Sequence, residues 1–440
     1  EAAFKVTVPA DAEITGPYWL KHERKGDLFS PGSGGSGIEP QAAPELIAEV
    51  EFQMEGEKVT AREPAKYRYA DKALGEIRRD VKVVPAVSVS IQPKNLLFPV
   101  STTAQEREVT VSLTNNAKER VSGTVGLAGL DNWKSTPESV KFDLEREGER
   151  AAFQFKVRVA PSPAEESREI YAYARAAGHE YREGYQTVAY PHIEPRLLYH
   201  SAKAASKVID VKVALGLKVG YIEGAGDDFA NALTRMNVDV ETIDSRELSQ
   251  GDLSRFDVIV TGIRVYETRP DVIANNNRLL DYVKNGGTLI VQYNKNEYAD
   301  KNLAPFPVKM NRSPDRVTDE GAEVTLLDAS HPLFNFPNKI TPKDFEGWIQ
   351  ERGAYFLAEW DKQFKPLMAS NDAGEQPKAG GALIARYGKG TYIYTAYAWF
   401  RQLPEGHRGA YRLIANMVSL PKAKQPARGR ATRAGLQTKN

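Results

Sequence analysis

The sequence of 440 residues contains no cysteine. That absence excludes disulfide bonds, thiolate metal ligands and cysteine nucleophiles together. Histidine is scarce too: six residues lie at positions 22, 179, 192, 200, 331 and 407, and no two have the three- or four-residue spacing that places two imidazoles on one helix face. A zinc site built from ligands that are close in sequence is therefore not expected.

The sequence also lacks long apolar runs and an excess of either charge. No run approaches the roughly 20 apolar residues of a membrane-spanning helix, so no span is predicted. Lysine and arginine number 59 against 58 aspartates and glutamates, and the net charge of +1 does not favour nucleic acid as a partner. The segment 422–440 is basic without acids, which predicts a disordered tail.

From residue 1 to about 190 the sequence shows a β pattern. Within 48–54, Val50, Phe52 and Met54 alternate with polar residues, and a turn at Glu55-Gly56 follows. This alternation predicts a hairpin with one buried face. The first residues, EAAFKVTVPAD, indicate a strand entered partway, so the first domain is expected to be truncated at its N-terminus.

Two β domains are predicted in this part of the chain. A boundary near Pro85 separates a β-sandwich-like domain (1–85), which contains a flexible SPGSGGSG stretch at 30–37, from a second domain (86–192). Short alternating runs with turn signals in the second domain are typical of an immunoglobulin-like sandwich. We expect Trp133 to pack in its core rather than to form a carbohydrate platform.

A third domain, 193–421, is predicted from alternating strand and helix patterns. LKVGYIEG indicates a buried strand, DDFANALTRMN a helix, and RFDVIVTGI and TLIVQYN further strands. Such alternation predicts a mainly parallel sheet covered on both faces. Ligands of these sheets bind at the carboxyl ends of the strands.

The segment GYIEGAGDDFANAL, residues 220–233, raises the question of a phosphate-binding loop. The dinucleotide pattern requires a third glycine three residues after the second, and Phe229 occupies that place. No Gly-Lys-Ser/Thr closes a Walker loop either. We expect instead a capped helix, with Asp227 or Asp228 as the N-cap.

The strings FDVIVTGIRVYE, LLDYVKNGGTLIVQYN and GGALIARYGKGTYIYTAYAWF resemble the class I glutamine amidotransferase-like fold, a relative of the flavodoxin-like α/β fold. The resemblance implies a nucleophilic cysteine after TLIVQYN, but residues 292–294 read Gln-Tyr-Asn. It also implies a histidine and a glutamate after a late strand, where residues 397–399 read Tyr-Ala-Trp. The family's triad is therefore missing, and no catalytic residue is assigned.

A longer resemblance covers the chain from VVPAVSVSIQPKNLLFPVS to TYIYTAYAWFRQLPEGHRGAYRLIANMVSL, which ends near residue 420. These strings look like the region that follows the catalytic domain in bacterial PIG-L (LmbE-like) family deacetylases. The resemblance implies an upstream zinc-dependent domain that removes acetyl groups from N-acetylglucosamine-type sugars, and an extracytoplasmic (periplasmic or secreted) location. The family's His-Pro-Asp-Asp motif is absent from this chain, so zinc is expected only in that upstream domain and no cofactor is expected here.

Two functions remain open. The first is a non-catalytic accessory region that binds carbohydrate or a protein partner beside the deacetylase domain. The alternative is a stand-alone hydrolase of acetylated sugars that uses carboxylates such as Asp228 and Glu267. The candidate ligand-binding residues, all expected near the carboxyl edge of the sheet, are Asp227, Asp228, Arg264, Tyr266, Glu267, Tyr293, Trp348, Glu351, Arg352, Trp399 and Arg401.

Overall fold

The computed structural model describes residues 3–9, 12–22, 25, 28–31, 38–39 and 42–423. Residues 32–37 of the predicted linker and 424–440 of the predicted tail lie outside the described residues. The chain divides into two compact units, one comprising Glu1–Leu96, Ser101–Ser162 and Ser167–Ser206, the other Leu97–Val100, Pro163–Glu166 and Lys207–Asn440. The fold is rich in β-structure that is distributed over several sheets.

The strands up to residue 209 are β1 (Ile47–Met54), β2 (Glu57–Pro64), β3 (Lys66–Asp71), β4 (Gly75–Asp80), β5 (Val87–Gln92), β6 (Asn95–Pro99), β7 (Gln105–Asn115), β8 (Val121–Ala128), β9 (Lys134–Thr136), β10 (Ser139–Leu144), β11 (Arg150–Val159), β12 (Glu166–Ala176), β13 (His179–Tyr181), β14 (Glu183–Val188), β15 (Arg196–Ser201) and β16 (Lys203–Ile209). Residues 3–9 form no strand, so the strand expected at the start of the sequence is not observed there.

The predicted hairpin is confirmed, but its predicted burial is wrong. β1 and β2 pair antiparallel around Glu55 and Gly56, whose φ angles of 52° and 87° suit the twist of a two-residue hairpin turn. Every residue of β1 is exposed, and Val50 and Phe52 keep 55% and 45% of their surface accessible. The alternation therefore identified a strand correctly, whereas the two-stranded sheet it forms leaves both faces of β1 open.

Two larger sheets are formed by strands β5 to β13 together with β16. One has the strand order β5-β7-β11-β9, and the other has the order β10-β8-β12-β16-β6 with β13 paired to β12. Strands β7, β11 and β12 bury alternate residues, so each sheet has one apolar face turned inward. Trp133 is 3% exposed, which confirms its predicted place in the core, and the Arg168 guanidinium lies 4.3 Å from its ring centroid.

The strands of the second unit are β17 (Lys218–Ile222), β18 (Asp239–Thr242), β19 (Val258–Thr261), β20 (Thr288–Gln292), β21 (Val308–Lys309), β22 (Asp315–Val317), β23 (Val324–Leu326), β24 (Gly353–Phe356), β25 (Glu359–Trp360), β26 (Phe364–Pro366), β27 (Met368–Ser370), β28 (Ala382–Tyr387) and β29 (Gly390–Thr395). Its helices are α1 (Phe229–Arg235), α2 (Ser245–Gln250), α3 (Val265–Thr268), α4 (Pro270–Ala274), α5 (Asn276–Lys284), α6 (Glu297–Asp300), α7 (Trp399–Gln402) and α8 (Arg408–Ser419).

A seven-stranded sheet with the order β18-β17-β19-β20-β29-β28-β26 organises the second unit. The first five strands of that order are parallel to one another, and β28 and β26 continue the sheet antiparallel. All residues of β19 and β20 are buried, which requires cover on both faces of the sheet. The strands predicted in RFDVIVTGI and TLIVQYN are thereby confirmed.

The chain from Pro270 to Lys284 forms two helices, α4 and α5, which meet at Asn275. In the described part of the chain, no helix combines the length and the apolar character that crossing a membrane requires. The domain boundaries near residues 85 and 192 stay predictions.

Candidate functional site

Asp227 joins two loops and the end of strand β20 at the carboxyl edge of the seven-stranded sheet. Its Oδ1 accepts hydrogen bonds from the Tyr221 hydroxyl (2.6 Å) and from the amide of Phe229 (2.9 Å). Its Oδ2 accepts from the amide of Ile263 (2.9 Å) and from Nε2 of Gln292 (3.1 Å). Because both oxygens are occupied by protein donors, Asp227 fixes the loops that follow β17 and β19 against the end of β20 rather than offering an acceptor to a ligand.

The glycines of the predicted turn allow the backbones of two loops to approach closely. A Cβ on Gly224 would lie 2.2 Å from the carbonyl oxygen of Ile263, and the Ala225 amide donates to that oxygen over 2.8 Å. Gly226 adopts a φ of 100°, which other residues rarely reach. The glycine-rich turn thus packs against the loop after β19.

Asp228 occupies the N-cap position of α1, but its carboxylate makes no capping hydrogen bond. It instead pairs with the Arg235 guanidinium and accepts from the side-chain amide of Asn231 (2.9 Å). The amide of Phe229, the first residue of the helix, is taken by Asp227. The expected cap is therefore supplied by Asp227, and the Asp228 charge is used within the protein.

Arg264 stands at the apex of a sharp turn between β19 and α3. Its φ and ψ of 55° and 28° are left-handed, and its amide donates to the Tyr293 carbonyl (2.8 Å). A strand, a left-handed residue and a helix in succession project the apex side chain outward from the end of the sheet. Here that geometry presents a guanidinium, which is a hydrogen-bond donor and not a nucleophile.

Glu267 lies between two cations at the same edge. Nε and Nη2 of Arg264 donate to its two oxygens over 2.6 and 2.8 Å, and Nζ of Lys295 donates to Oε1 over 2.8 Å. These hydrogen bonds, that of Arg264 above all, lower the pKa of Glu267 from 4.5 to about 2. Glu267 is thus a fixed carboxylate at neutral pH and cannot act there as a proton donor.

Aromatic rings lie next to this charged group. The rings of Tyr293 and Tyr355 are stacked with centroids 5.4 Å apart and an interplanar angle of 8°, and Phe400 lies 5.4 Å from Tyr293. Tyr293 is 9% exposed, whereas Tyr355 and Phe400 are half-buried and reach solvent. Burial raises the pKa of the Tyr293 hydroxyl, which keeps it neutral.

A second charged group completes the arrangement. Nε of Arg401 donates to Oε1 of Glu351 (2.8 Å), Nη1 contacts the amide oxygen of Gln350, and the guanidinium lies 4.9 Å from the Phe400 ring centroid. Because Phe400 also contacts Tyr293, the second charged group borders the same set of rings.

Three of the eight non-glycine residues with positive φ in the described part of the chain belong to this group. Arg264, Gln350 and Tyr355 have φ angles of 55°, 66° and 64° although none is glycine. Such conformations cost of order 1 kcal/mol or more each and occur preferentially in binding and active sites. We call the following residues the edge cluster: Arg264, Glu267, Tyr293, Lys295, Gln350, Glu351, Tyr355, Phe400 and Arg401.

Four predicted ligand-binding residues lie in the core instead. Tyr266, Trp348, Arg352 and Trp399 are 1%, 3%, 4% and 0% exposed. The Tyr266 hydroxyl donates to Asn276 (2.7 Å), and the indole nitrogens of Trp348 and Trp399 donate to the Glu351 carbonyl and to Thr395. These rings are satisfied within the protein.

Arg352 is held in the same interior. Its guanidinium donates to the carbonyls of Ala322 (2.8 Å) and Phe345 (2.7 Å) and lies 5.5 Å from the Trp348 ring centroid. Burial lowers the pKa of Arg352. Sequence reasoning included these core residues because tryptophan and arginine are common at binding sites, but their large side chains fill this interior.

Positions 292–294, where the amidotransferase resemblance implies a nucleophile, carry structural amides on either side of Tyr293. Nε2 of Gln292 donates to Asp227 and to the Thr261 carbonyl, and Oδ1 of Asn294 accepts from the Tyr266 amide. In the described part of the chain, no group of three or more histidine, aspartate or glutamate side chains is arranged to hold a metal ion. The chemistry that the edge offers is hydrogen bonding and stacking.

The sequence matches no protein-family model. It also matches no curated protein. Solved structures with partial likeness include the cytoplasmic protein STM1381 from Salmonella typhimurium LT2, 16% identical over 46% of this chain and 98% of that one, with a TM-score of 0.33. A β-galactosidase from Rahnella sp. R3 is 15% identical over 48% of this chain and 32% of the enzyme (TM-score 0.27). A PapD-like domain of human CEP192 is 15% identical over 30% of this chain and 92% of that domain (TM-score 0.17). All three TM-scores are low, so these likenesses carry no argument about fold or function.

Proposed function

We propose that this chain is the non-catalytic accessory region of a PIG-L family deacetylase-like protein and that its edge cluster binds carbohydrate. The observation that carries the proposal is the half-buried ring of Tyr355, stacked on Tyr293 and flanked by the pairs Arg264–Glu267 and Arg401–Glu351. An aromatic face beside oriented donors and acceptors suits a sugar ring, which has apolar C–H faces and a rim of hydroxyls.

The topology of the second unit supports an amidotransferase-like domain without its triad. Numbered along the chain, its parallel strands have the spatial order 2-1-3-4-5, which is the flavodoxin-like order. Six residues of the edge cluster follow the third, fourth and fifth of these strands, at the carboxyl edge where ligands of such sheets bind. The other three, Gln350, Glu351 and Tyr355, lie just before or within β24. In the first unit, the alternating burial of β7, β11 and β12 supports an immunoglobulin-like sandwich.

The ion pairs at the edge favour an uncharged polyol over a strongly charged ligand. Glu267 balances one of the cations Arg264 and Lys295, and Glu351 balances Arg401. Fixed carboxylate and guanidinium groups bind hydroxyls with charge-assisted hydrogen bonds without requiring a counter-charge from the ligand. An N-acetylated amino sugar, the substrate class of the deacetylases that the sequence resembles, has this chemistry.

The hydrolase alternative has weaker support. It requires one carboxyl group that holds a proton and another that does not. The pKa of Glu267 is lowered to about 2 by Arg264 and Lys295, and Asp228 is bound by Arg235 and Asn231. Both side chains are therefore taken up by pairing with arginines. In the accessory hypothesis, zinc chemistry and an extracytoplasmic location belong to the complete deacetylase.

A binding screen combined with a turnover assay tests the proposal. The full chain is applied to arrayed N-acetylglucosamine, its β-linked oligomers and their deacetylated forms, and acetate release is measured with zinc present. We expect saturable binding to a sugar without acetate release. Acetate release that Glu267→Gln or Asp228→Asn abolishes would establish the hydrolase instead, and absence of binding to every sugar would contradict the carbohydrate proposal.

A further inference from the structure

A cleft of about 600 Å³ opens at the other end of the seven-stranded sheet. Thr288 and Thr391, which lie at the start of β20 and β29, line it together with Arg386 of β28 and Lys389 of the turn between β28 and β29. It therefore lies at the amino edge of the parallel strands. A five-residue strand separates the two edges by about 15 Å, so the cleft is distinct from the edge cluster.

The lining of this cleft is positively charged. Lys365, Arg386 and Lys389 contribute to it, and no aspartate or glutamate is among its described lining residues. Lys365 pairs with Asp328, which lies outside the lining and whose pKa it holds at about 2 together with Ser330. The whole chain has a net charge of only +1, so the positive charge of the cleft is a local feature and does not reflect a generally basic protein.

Arg386 is oriented by uncharged acceptors, and no ion pair of its guanidinium occurs among the described residues. Its Nη1 donates to Oγ1 of Thr391 over 3.1 Å, and its Nη2 donates to the backbone carbonyl of Lys389. Both acceptors are uncharged oxygens. The guanidinium, which has five N–H donors, is thus fixed in direction while it retains its full charge.

His331 adds a neutral donor to the same lining. Its Nδ1 accepts a hydrogen bond from the Leu333 amide over 3.1 Å, so the ring proton of the neutral imidazole lies on Nε2. Burial lowers the pKa of His331, which favours this neutral form at neutral pH. The cleft therefore combines a planar cationic fork, a flexible ammonium group and an N–H donor.

We propose that this cleft binds the oxyanion of a phosphate or sulfate ester, with Arg386 and Lys389 as direct ligands. A guanidinium fork matches two oxygens of a tetrahedral oxyanion, and an ammonium adds a point charge to a third. The cleft volume leaves room for an attached sugar or glycerol group. The proposal rests on none of the residues of the edge cluster.

Isothermal titration of the full chain with inorganic phosphate, sulfate and N-acetylglucosamine 6-phosphate tests this site. The test variant is Arg386→Gln with Lys389→Gln. The matched control is Lys301→Gln with Arg312→Gln, which removes the same charge from two exposed positions of the same unit outside the cleft. We expect one saturable site that weakens at least about tenfold in the test variant and changes less than about twofold in the control.

Lys389→Gln alone guards against a folding effect, because the backbone carbonyl that orients Arg386 remains in that variant. It is expected to weaken phosphate binding severalfold at an unchanged unfolding temperature. Sedimentation with phosphatidic acid vesicles, compared with titration of the sugar phosphate, separates a lipid headgroup from a soluble ester. No saturable binding of any probe, or equal losses in both double variants, overturns the proposal.

Discussion

The ring of Tyr355 lies parallel to that of Tyr293, with centroids 5.4 Å apart and planes inclined by 8°. Tyr355 holds this position with a left-handed φ of 64°, and its carbonyl accepts from the Tyr394 hydroxyl over 2.8 Å. The backbone is thus strained at the residue that presents an aromatic face to solvent. Tyr355 is the extra residue of a β-bulge between β24 and β22, where Phe356 and Ala354 pair with Asp315 and Arg316. Bulges of this kind redirect a side chain, and a ring fixed in advance benefits a binding surface.

Substitutions of Arg264 separate backbone strain from its ion pair. Arg264→Gly and Arg264→Val both remove the pair with Glu267, but only valine must adopt the left-handed conformation with a branched side chain. We expect the valine variant to be less stable than the glycine variant by about 1–2 kcal/mol in urea unfolding. Equal stabilities of the two variants would show that the turn after β19 can relax and that residue 264 does not have to keep its left-handed conformation.

The ionisation of Glu267 gives a dependence on pH. The pKa of Glu267 is about 2 in the folded protein and 4.5 when the side chain has no partners. The stability that its ion pairs contribute is therefore complete above about pH 4.5 and is lost as the pH falls toward 2. We expect Glu267→Gln to flatten the acid side of the stability profile in this interval. Carboxyl carbon chemical shifts should show a midpoint near 2 that rises in Lys295→Met, and a midpoint near 4.5 would contradict the pairing.

The carboxylate of Asp227 has a structural role that a near-isosteric change can test. Asp227→Asn replaces one carboxylate oxygen by an NH₂ group, which is a donor. In place of Oδ2 this NH₂ group faces the donors of Ile263 and Gln292, and in place of Oδ1 it faces those of Tyr221 and Phe229. We expect a loss of about 2–3 kcal/mol in the free energy of unfolding. The control Asp228→Asn should cost less, about 1 kcal/mol, because it disrupts one ion pair near the surface.

A smaller loss in Asp227→Asn than in Asp228→Asn would show that Asp227 does not hold the loops together. In that case it would regain its place as a candidate ligand residue.

The strands at the centre of the second unit were predictable because their burial leaves a simple trace. β19 and β20 each have an unbroken apolar centre, residues 258–260 and 289–291, which is how strands covered on both faces appear in a sequence. The hairpin of β1 and β2 was equally visible from alternation, but alternation does not tell whether another layer covers the apolar face. That information depends on long-range packing.

The site was only partly predictable for a related reason. Arg264, Glu267, Tyr293 and Arg401 were located because they follow recognisable strands, and Glu351 was included as a charged residue expected near the same edge. Tyr355, Lys295, Gln350 and Phe400 were missed.

Tyr355 and Gln350 lie in the region between residues 300 and 380, where strands of two to four residues show no readable period. For Lys295 the available signal was its place directly after the strand-end residues 292–294. Phe400 likewise directly precedes the predicted Arg401. Trp348 and Trp399 were included by residue type, but burial decides that they form the core.

The most direct test of the carbohydrate proposal compares three forms of residue 355 by isothermal titration with β-linked N-acetylglucosamine oligomers. Tyr355→Phe keeps the ring, and Tyr355→Gly removes it while it accepts the left-handed backbone without strain. We expect the phenylalanine variant to bind within about threefold of the natural chain and the glycine variant to bind at least about tenfold more weakly. Equal affinity of all three forms, at equal stability, would contradict the assignment of the edge cluster as the sugar site.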